Sequence, residues 1–201
     1  MKKCAIVLNA PKLNRAIEED FIVCADGGIK HLKDRVADIL IGDFDSLKSD
    51  LKSSAKYTVK FPSEKNSSDG DIALRWAIDN GFKDIAVYGI TEGRQDHILC
   101  NLSLLTLAKE LGATAVGKDD NLDIYLASKE FKLNGKSGDT VSLIPLFETA
   151  IVEKSVNLYY PLNNLELTPQ NLSRGLSNLM TDDYFEIKIK KGSVFVFHYL
   201  Q

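Results

Sequence analysis

The chain has 201 residues, of which 44% are hydrophobic, which excludes extended disorder and suits one large or two small domains with a sizeable core. Its 25 basic residues stand against 28 acidic ones, giving a net charge of −3. The chain therefore lacks the surplus of basic residues that is typical of proteins that bind nucleic acid or anionic membranes. An anionic ligand must therefore be bound by a local group of residues.

The N-terminal sequence MKKCAIVLN combines two lysines with an apolar run, as a signal peptide does. The run is shorter than the roughly 7–15 residues of a signal-peptide core, so we interpret it as the first strand. Nowhere does the sequence approach the roughly 20 consecutive apolar residues of a membrane span. Cys4, Cys24 and Cys100 are odd in number and lie in apolar segments, which predicts three buried, reduced thiols in a cytoplasmic protein.

Short apolar segments alternate with amphipathic ones in the N-terminal part of the chain. The apolar segments predict strands at residues 4–9, 21–25, 38–41, 57–61, 85–90 and 114–117. The amphipathic ones predict helices at 71–80 and 97–111, which Gly81 and Gly112 end as C-terminal caps. This alternation predicts an α/β domain with a mostly parallel sheet.

Beyond residue 126 the pattern changes to short β-type segments separated by turn residues. Strands are predicted at residues 131–133, 141–145, 151–154, 185–190 and 194–199, as in a small antiparallel sandwich or barrel. Phe185, Ile187 and Ile189 alternate with charged residues and precede Lys191 and Gly192. This arrangement predicts a closing β-hairpin over residues 183–199.

Acidic residues follow four consecutive strands of the predicted parallel sheet. Ligands bind at the carboxyl ends of the strands in such a sheet, so these four segments are expected at one site. The segments are ADGG at 25–28, GDFDS at 42–46, PSEKNSSD at 62–69 and GITEGRQDH at 89–97.

Asp43 and Asp45 are two residues apart, so in an extended segment their carboxylates point the same way and repel each other. Phe44 between them is expected to be exposed, which a simple turn does not explain. With Asp26 and Asp69, these residues predict a site for magnesium, which prefers oxygen ligands. Taken singly, each acid also fits a turn or a helix cap; their joint occurrence favours the metal site.

Several residues of the same segments suit a phosphate. Gly27, Gly28 and Gly93 allow the backbone to approach a phosphate closely. Arg94 offers a planar guanidinium, and Lys65 offers a point charge. His97, at the start of its predicted helix, fits either this site or an ordinary surface position.

In chain order, five segments resemble those of the thiamine pyrophosphokinase family. They are ADGG at 25–28, GDFDS at 42–46, KNSSD at 65–69, GRQDH at 93–97 followed by Asn101, and SRGLSN at 173–178. The resemblance implies a three-layer α/β/α catalytic domain at residues 1–126 and an all-β sandwich at 127–201. It also implies a homodimer in which thiamine lies between the catalytic domain of one subunit and the β domain of the other.

The resemblance further implies the reaction and its residues. The pyrophosphoryl group of ATP is transferred to the hydroxyl of thiamine, with thiamine diphosphate and AMP as products and Mg²⁺ as cofactor. Asn66 and Ser68 stand where the family commonly has an aspartate and a threonine, so Asn66 supplies no charge. The implied metal ligands are Asp43, Asp45 and Asp69, and the implied catalytic residues are these three and Asp96. The implied nucleotide contacts are Asp26, Gly27, Lys65, Arg94 and His97. The implied thiamine contacts are Asn101, Ser177 and Asn178.

Some alternatives stay open at this point. Either Asp69 or Asp96 is expected to accept the proton of the thiamine hydroxyl. A pterin alcohol as acceptor would keep the α/β domain and the magnesium, although residues 173–178 argue against it. A regulator that only binds a ligand would have no need of clustered carboxylates. Tyr159 and Tyr160 fit either a structural turn or a contact with the substrate.

Overall fold

A computed structural model of the chain describes residues 2–44, 54–62 and 66–200. These residues belong to two compact units, Met1–Asp120 and Asn121–Gln201. The predicted domain boundary at residue 126 stays a prediction. Asp45 and Lys65 lie outside the described residues. None of the helices in the described part of the chain has the length and apolar character needed to cross a membrane.

The described part of the first unit contains a sheet of six parallel strands in the order β6-β5-β1-β2-β3-β4. All six predicted strands are confirmed, with bounds that shift by two residues at most. The strands are β1 (Lys3–Val7), β2 (Phe21–Ala25), β3 (Ala37–Gly42), β4 (Ala55–Lys60), β5 (Asp84–Tyr88) and β6 (Thr114–Asp119).

Both predicted helices are confirmed as α1 (Asp69–Asp79) and α2 (Gln95–Glu110), each beginning two residues earlier than predicted. Gly81 and Gly112 end them with φ values of 88° and 72°, which glycine adopts without strain. The two helices contact each other; α1 packs on β1, β2 and β3, and α2 packs on β6. They therefore cover one face of the sheet.

A separate hydrophobic cluster covers the other face of this sheet. It joins strand residues such as Val7 and Leu40 to Leu13 and to Ile29 of a short 3-10 helix, Asp26–His31. Among the described residues, no α-helix contributes to this cluster. The mixed α/β class is confirmed, whereas the third helical layer of an α/β/α domain stays a prediction.

Residues 121–200 form two sets of antiparallel strands, in the orders β12-β9-β14-β7 and β11-β10-β13-β8. Both sets contribute to one hydrophobic core, for example through Leu143 of the first and Phe185 of the second. The strands are β7 (Leu122–Ala127), β8 (Glu130–Asn134), β9 (Thr140–Ile144), β10 (Ala150–Val156), β11 (Leu165–Leu167), β12 (Asn178–Leu179), β13 (Tyr184–Lys191) and β14 (Val194–Tyr199).

The predicted closing hairpin is wrong, because β13 and β14 belong to different sheets. β13 pairs with β10 and β8, whereas β14 pairs with β7 and β9. Between them Gly192 has a φ of 74°, and a Cβ there would lie 2.3 Å from the carbonyl oxygen of Thr149. The close approach of Gly192 to that backbone lets the chain pass from one sheet to the other.

The cysteines are free, and two of the three are buried as predicted. Burial raises the pKa of the Cys4 thiol to about 12 and also raises the pKa of Cys24. The prediction is wrong for Cys100, which is exposed. It lies in the N-terminal part of α2, whereas the buried residues of that helix begin at Leu102.

Candidate functional site

A cleft of about 540 Å³ lies at the carboxyl edge of the parallel sheet in the first unit. Its wall includes residues that follow β1, β2, β3 and β5 and the N-terminal residues of α1. The cleft thus lies where the topology of a parallel sheet predicts a ligand site. The predicted site residues that line it are Asp26, Asp43, Asp69, Arg94, His97 and Asn101.

The remaining predicted site residues that the structure describes do not line the cleft. Gly27 and Asp96 are next in the chain to the lining residues Asp26 and His97. Ser177 and Asn178 belong to the second unit. Within residues 2–44, 54–62 and 66–200, no three His, Cys, Asp or Glu side chains are grouped so as to hold a metal ion.

Phe44 explains how the acidic segment after β3 is built. Its side chain is only 8% exposed and packs in the hydrophobic cluster with Leu40 and Ile29, so the expectation of an exposed aromatic is wrong. Its φ of 61° also takes the backbone out of the extended conformation directly after Asp43. The extended-strand argument for Asp43 and Asp45 therefore fails at Phe44, which anchors the segment while Asp43 lines the cleft.

The ends of β2 and β3 lie close together. A Cβ on Gly42 would come within 3.2 Å of the Cα and Cβ atoms of Asp26, so a glycine at the end of β3 leaves room for that residue. Asp26 itself has a φ of 44°, a left-handed conformation that aspartate tolerates better than most residues. This turn brings Asp26 into the wall that also contains Asp43.

The start of α1 brings Asp69 to the cleft. Ser68 caps the helix, because its Oγ accepts a hydrogen bond from the backbone N–H of Asp71 at 3.1 Å. Asp69 is therefore not the cap, and its position in the first turn favours a negative charge there. The neighbouring Gly70 is close-packed, since a Cβ would lie 3.0 Å from Leu8 and 3.1 Å from Leu104.

Arg94 and Asp96 form an exposed ion pair next to the cleft. The guanidinium donates to both carboxylate oxygens, with Nε–Oδ1 at 3.1 Å and Nη2–Oδ2 at 2.5 Å. Asp96 also accepts the backbone N–H of His97 at 3.0 Å. The hydrogen bond from Arg94 is the largest cause that lowers the pKa of Asp96 to about 2, so Asp96 is ionised at neutral pH.

The two glycines after Asp26 are explained by packing. A Cβ on Gly28 would lie 2.1 Å from the carbonyl oxygen of Val7, and a Cβ on Gly27 would lie 2.5 Å from Oδ1 of Asn9. Asn9 in turn accepts a hydrogen bond from Lys30 Nζ at 2.8 Å and lines the cleft. These contacts account for both glycines without a phosphate, whose approach stays a prediction.

In the second unit, Asn178 is held by the backbone of Tyr160. Its Oδ1 accepts the Tyr160 N–H at 3.0 Å, and its Nδ2 donates to the Tyr160 carbonyl at 2.7 Å. Asn178 is 2% exposed, whereas its neighbour Ser177 is exposed, with a φ of 53°. The arrangement gives Asn178 a structural role and leaves Ser177 accessible.

The comparison with known families concerns the same part of the chain that builds the cleft. The sequence model described as "Thiamin pyrophosphokinase, catalytic domain" matches residues 14–116. The chain belongs to the thiamin pyrophosphokinase family. This match contains all six predicted residues that line the cleft.

Individual members of the family are similar to the chain. The thiamine pyrophosphokinase of Bacillus subtilis (strain 168) is 28% identical over 133 residues, which are 63% of this chain and 62% of the relative, less than two thirds of its length. A crystal structure of Bacillus subtilis thiamine pyrophosphokinase has a TM-score of 0.85 at 25% identity and covers 100% of both chains. That of an Enterococcus faecalis family protein has a TM-score of 0.84 at 21% identity over 99% of both, which supports the fold.

Sequence reasoning missed residues at the carboxyl ends of the first and sixth strands. Asn9 and Pro11 follow β1 and line the cleft. Asp119 ends β6, is 5% exposed and accepts hydrogen bonds from the segment that follows β5. The signal that could have found them is the rule applied to the other four strands, namely that ligand sites form from residues after strand ends.

Proposed function

We propose that this chain is a thiamine pyrophosphokinase, which transfers the pyrophosphoryl group of ATP to the hydroxyl of thiamine. The products are thiamine diphosphate and AMP. The observation that carries the proposal is the gathering of Asp26, Asp43, Asp69 and Arg94 in one cleft within the residues that match the catalytic domain of the family.

Magnesium is the cation that the donors of the cleft fit. Asp26, Asp43 and Asp69 offer carboxylate oxygens, the ligand type that magnesium prefers. We propose that Asp43 and Asp69 hold it together with Asp45, with Asp26 near the metal or the phosphates. Magnesium often completes its coordination with water and substrate phosphates, so a dedicated cage of protein ligands is not required. When bound, it neutralises charge on the phosphates of ATP.

The side chains of the chain itself position the phosphates. Phosphoryl-type transfer depends mainly on in-line positioning and on neutralisation of charge. Arg94 lines the cleft and has a planar fork that suits a phosphate as well as it suits Asp96. We propose that a phosphate replaces Asp96 as the partner of this exposed guanidinium, with Lys65 and His97 as further contacts.

The proton of the thiamine hydroxyl needs an acceptor. Asp69 and Asp96 are the two candidates for this acceptor. Asp96 is not part of the cleft wall. Asp69 lines the cleft and is the better of the two candidates.

Thiamine is proposed to contact the second unit, interpreted as an all-β sandwich. Several exposed apolar side chains lie in the segment that contains the exposed Ser177 and in the residues hydrogen-bonded to that segment, an unusual feature for a surface that contacts only water. These are Tyr159, Tyr160, Leu172, Leu176 and Leu179. We propose that this surface faces thiamine and the catalytic domain of a second subunit.

Light scattering tests the homodimer, and a monomer at micromolar concentration would contradict it. Cytoplasmic location stays a prediction from the sequence.

The decisive experiment is a mass-spectrometric assay for thiamine diphosphate and AMP in the presence of ATP, magnesium and thiamine. The wild type is expected to make both products in equal amounts, whereas Asp43→Asn is expected to make neither at a comparable rate. Asp84→Asn is the matched control, because Asp84 begins β5 at the opposite edge of the same sheet. A wild type that uses another alcohol but not thiamine would contradict the proposed acceptor.

A further inference from the structure

Asp119 is a buried carboxylate at the end of β6 that binds the segment after β5. Its Oδ1 accepts the backbone N–H of Ile90 at 3.0 Å, and its Oδ2 accepts the backbone N–H of Thr91 at 2.9 Å. Oδ2 also accepts the hydroxyl of Thr91. A single carboxylate thus satisfies three donors of two consecutive residues.

These hydrogen bonds fix the start of a loop that builds the cleft. Ile90 and Thr91 lead directly into Glu92, Gly93 and Arg94, all three of which line the cleft. The carbonyl oxygen of Ile90 is also contacted by the side chain of Asn101, at 3.3 Å. The loop is therefore anchored at its beginning, while Arg94 at its far end is exposed.

The next residue, Asp120, binds the segment that follows β1. Its Oδ1 accepts the backbone N–H groups of Asn14 at 2.6 Å and Arg15 at 3.0 Å. This segment follows Pro11, which lines the cleft, and a Cβ on Gly93 would lie 3.2 Å from Pro11 Cδ. Two consecutive carboxylates at the end of β6 thus hold two segments that meet at the cleft.

We propose that Asp119 is a positioning residue for the phosphates of the nucleotide, acting through the Ile90–Thr91 backbone on Gly93 and Arg94. The inference rests on the proposed function, in which Arg94 contacts phosphate. Asp119 need not touch the nucleotide, because its carboxylate is already occupied by three donors. Small displacements of a positioning group are costly, since about 1 Å of misplacement can lower the rate about 100-fold.

The test compares Asp119→Asn with the wild type and with Asp84→Asn as the matched control. The asparagine keeps one acceptor oxygen but turns an NH₂ group toward backbone donors. We expect KM for ATP to rise about tenfold or more, while KM for thiamine stays within about twofold of the wild type. Amide hydrogen exchange at Ile90 and Thr91 is expected to accelerate in the variant.

Thr91→Val provides a second variant in case Asp119→Asn does not fold, because it removes only the hydroxyl donor. It is expected to raise KM for ATP by a smaller factor. Thr91→Ser keeps the hydroxyl and is expected to have the KM for ATP of the wild type. An unchanged KM for ATP in folded Asp119→Asn, with a lowered melting temperature alone, would overturn the inference. Calorimetry of magnesium–ATP binding separates the two proposals. A wild type that binds magnesium–ATP but makes no thiamine diphosphate would contradict the proposed function. An Asp119→Asn variant that binds magnesium–ATP as tightly as the wild type would contradict the inference.

Discussion

Asp69 and Asp96 differ in what each carboxylate faces. Asp69 lines the cleft, whereas Asp96 is paired with Arg94 outside the cleft wall. We expect Asp69→Asn to lower kcat by roughly 100-fold or more, within the range for loss of an acid–base group, and Asp96→Asn to lower it far less.

Steady-state kinetics with saturating ATP and thiamine check this expectation. Asp71→Asn is the control, because Asp71 lies in the same helical turn but pairs with Arg75 at 2.5 Å. Equal losses of kcat in Asp69→Asn and Asp96→Asn would contradict the distinction between the two acids.

The ion pair of Asp96 has a consequence for its titration. Its pKa is lowered from 3.8 to about 2, chiefly by the hydrogen bond from Arg94. The folded state therefore binds this proton less readily than the unfolded state, so the pair stabilises the fold above about pH 3.8 and loses that effect as the pH falls through about 2. The effect is expected to be small because both side chains are exposed.

Carboxyl NMR titration measures this pKa directly. Arg94→Met is expected to raise the pKa of Asp96 toward 3.8, because the largest cause of its depression is removed. The backbone N–H of His97 still donates to Asp96 in that variant, so part of the depression should remain. A pKa that does not change would show that Arg94 does not hold this carboxylate in solution.

At the scale of elements, β12 depends on its neighbours because it has only two residues, Asn178–Leu179. The residue that follows it, Met180, donates its N–H to the Asp139 carbonyl at 2.9 Å and accepts the N–H of Gly138 at 2.8 Å. The turn that contains Asp139 thus supports the short strand next to Ser177. The same turn is tied to β14 through a buried pair, Asp139 and His198.

The Asp139–His198 pair is expected to contribute to stability. The Oδ2 of Asp139 accepts a hydrogen bond from His198 Nε2 at 2.8 Å, and both side chains are buried. We expect His198→Ala to lower the free energy of unfolding by about 1–3 kcal/mol, because it leaves a buried hydrogen-bonding oxygen without this partner. Urea unfolding measures the change.

Two further variants frame that result. His97→Ala, which removes an exposed histidine, is expected to change the free energy of unfolding by no more than about 0.5 kcal/mol. Replacing both Asp139 and His198 by leucine is expected to cost less than His198→Ala alone, since no buried carboxylate then remains. A His198→Ala variant as stable as the wild type would contradict the role of the pair.

At the scale of the whole molecule, the three thiols differ in reactivity. The thiolate is the reactive form, and burial raises the pKa of Cys4 to about 12, while Cys24 is also buried and Cys100 is exposed. We expect iodoacetamide to modify Cys100 alone in the folded protein and all three cysteines in guanidinium chloride. Mass spectrometry of peptides identifies the sites; rapid modification of Cys4 or Cys24 under native conditions would contradict their burial.

The sequence by itself determined the six strands and two helices of the first unit and indicated the candidate site at the carboxyl ends of those strands. Hydrophobic periodicity and glycine caps are local signals, and parallel strands bring residues such as Asp26, Asp43 and Asp69 to one edge whatever the details of packing. The family segments also lie in the sequence itself. This is why the predicted residues that line the cleft also lie within the segment that matches the catalytic domain of the family.

Only the tertiary structure decided to which sheets β13 and β14 belong. It likewise decided that Phe44 is buried and that Cys100 is exposed. It also decided that Asn178 binds Tyr160 and that Asp119 binds Ile90 and Thr91. Each of these outcomes depends on groups that are distant along the chain or on the packing of a whole face. None of them is encoded in a short window of sequence, because the same local pattern is compatible with several long-range partners.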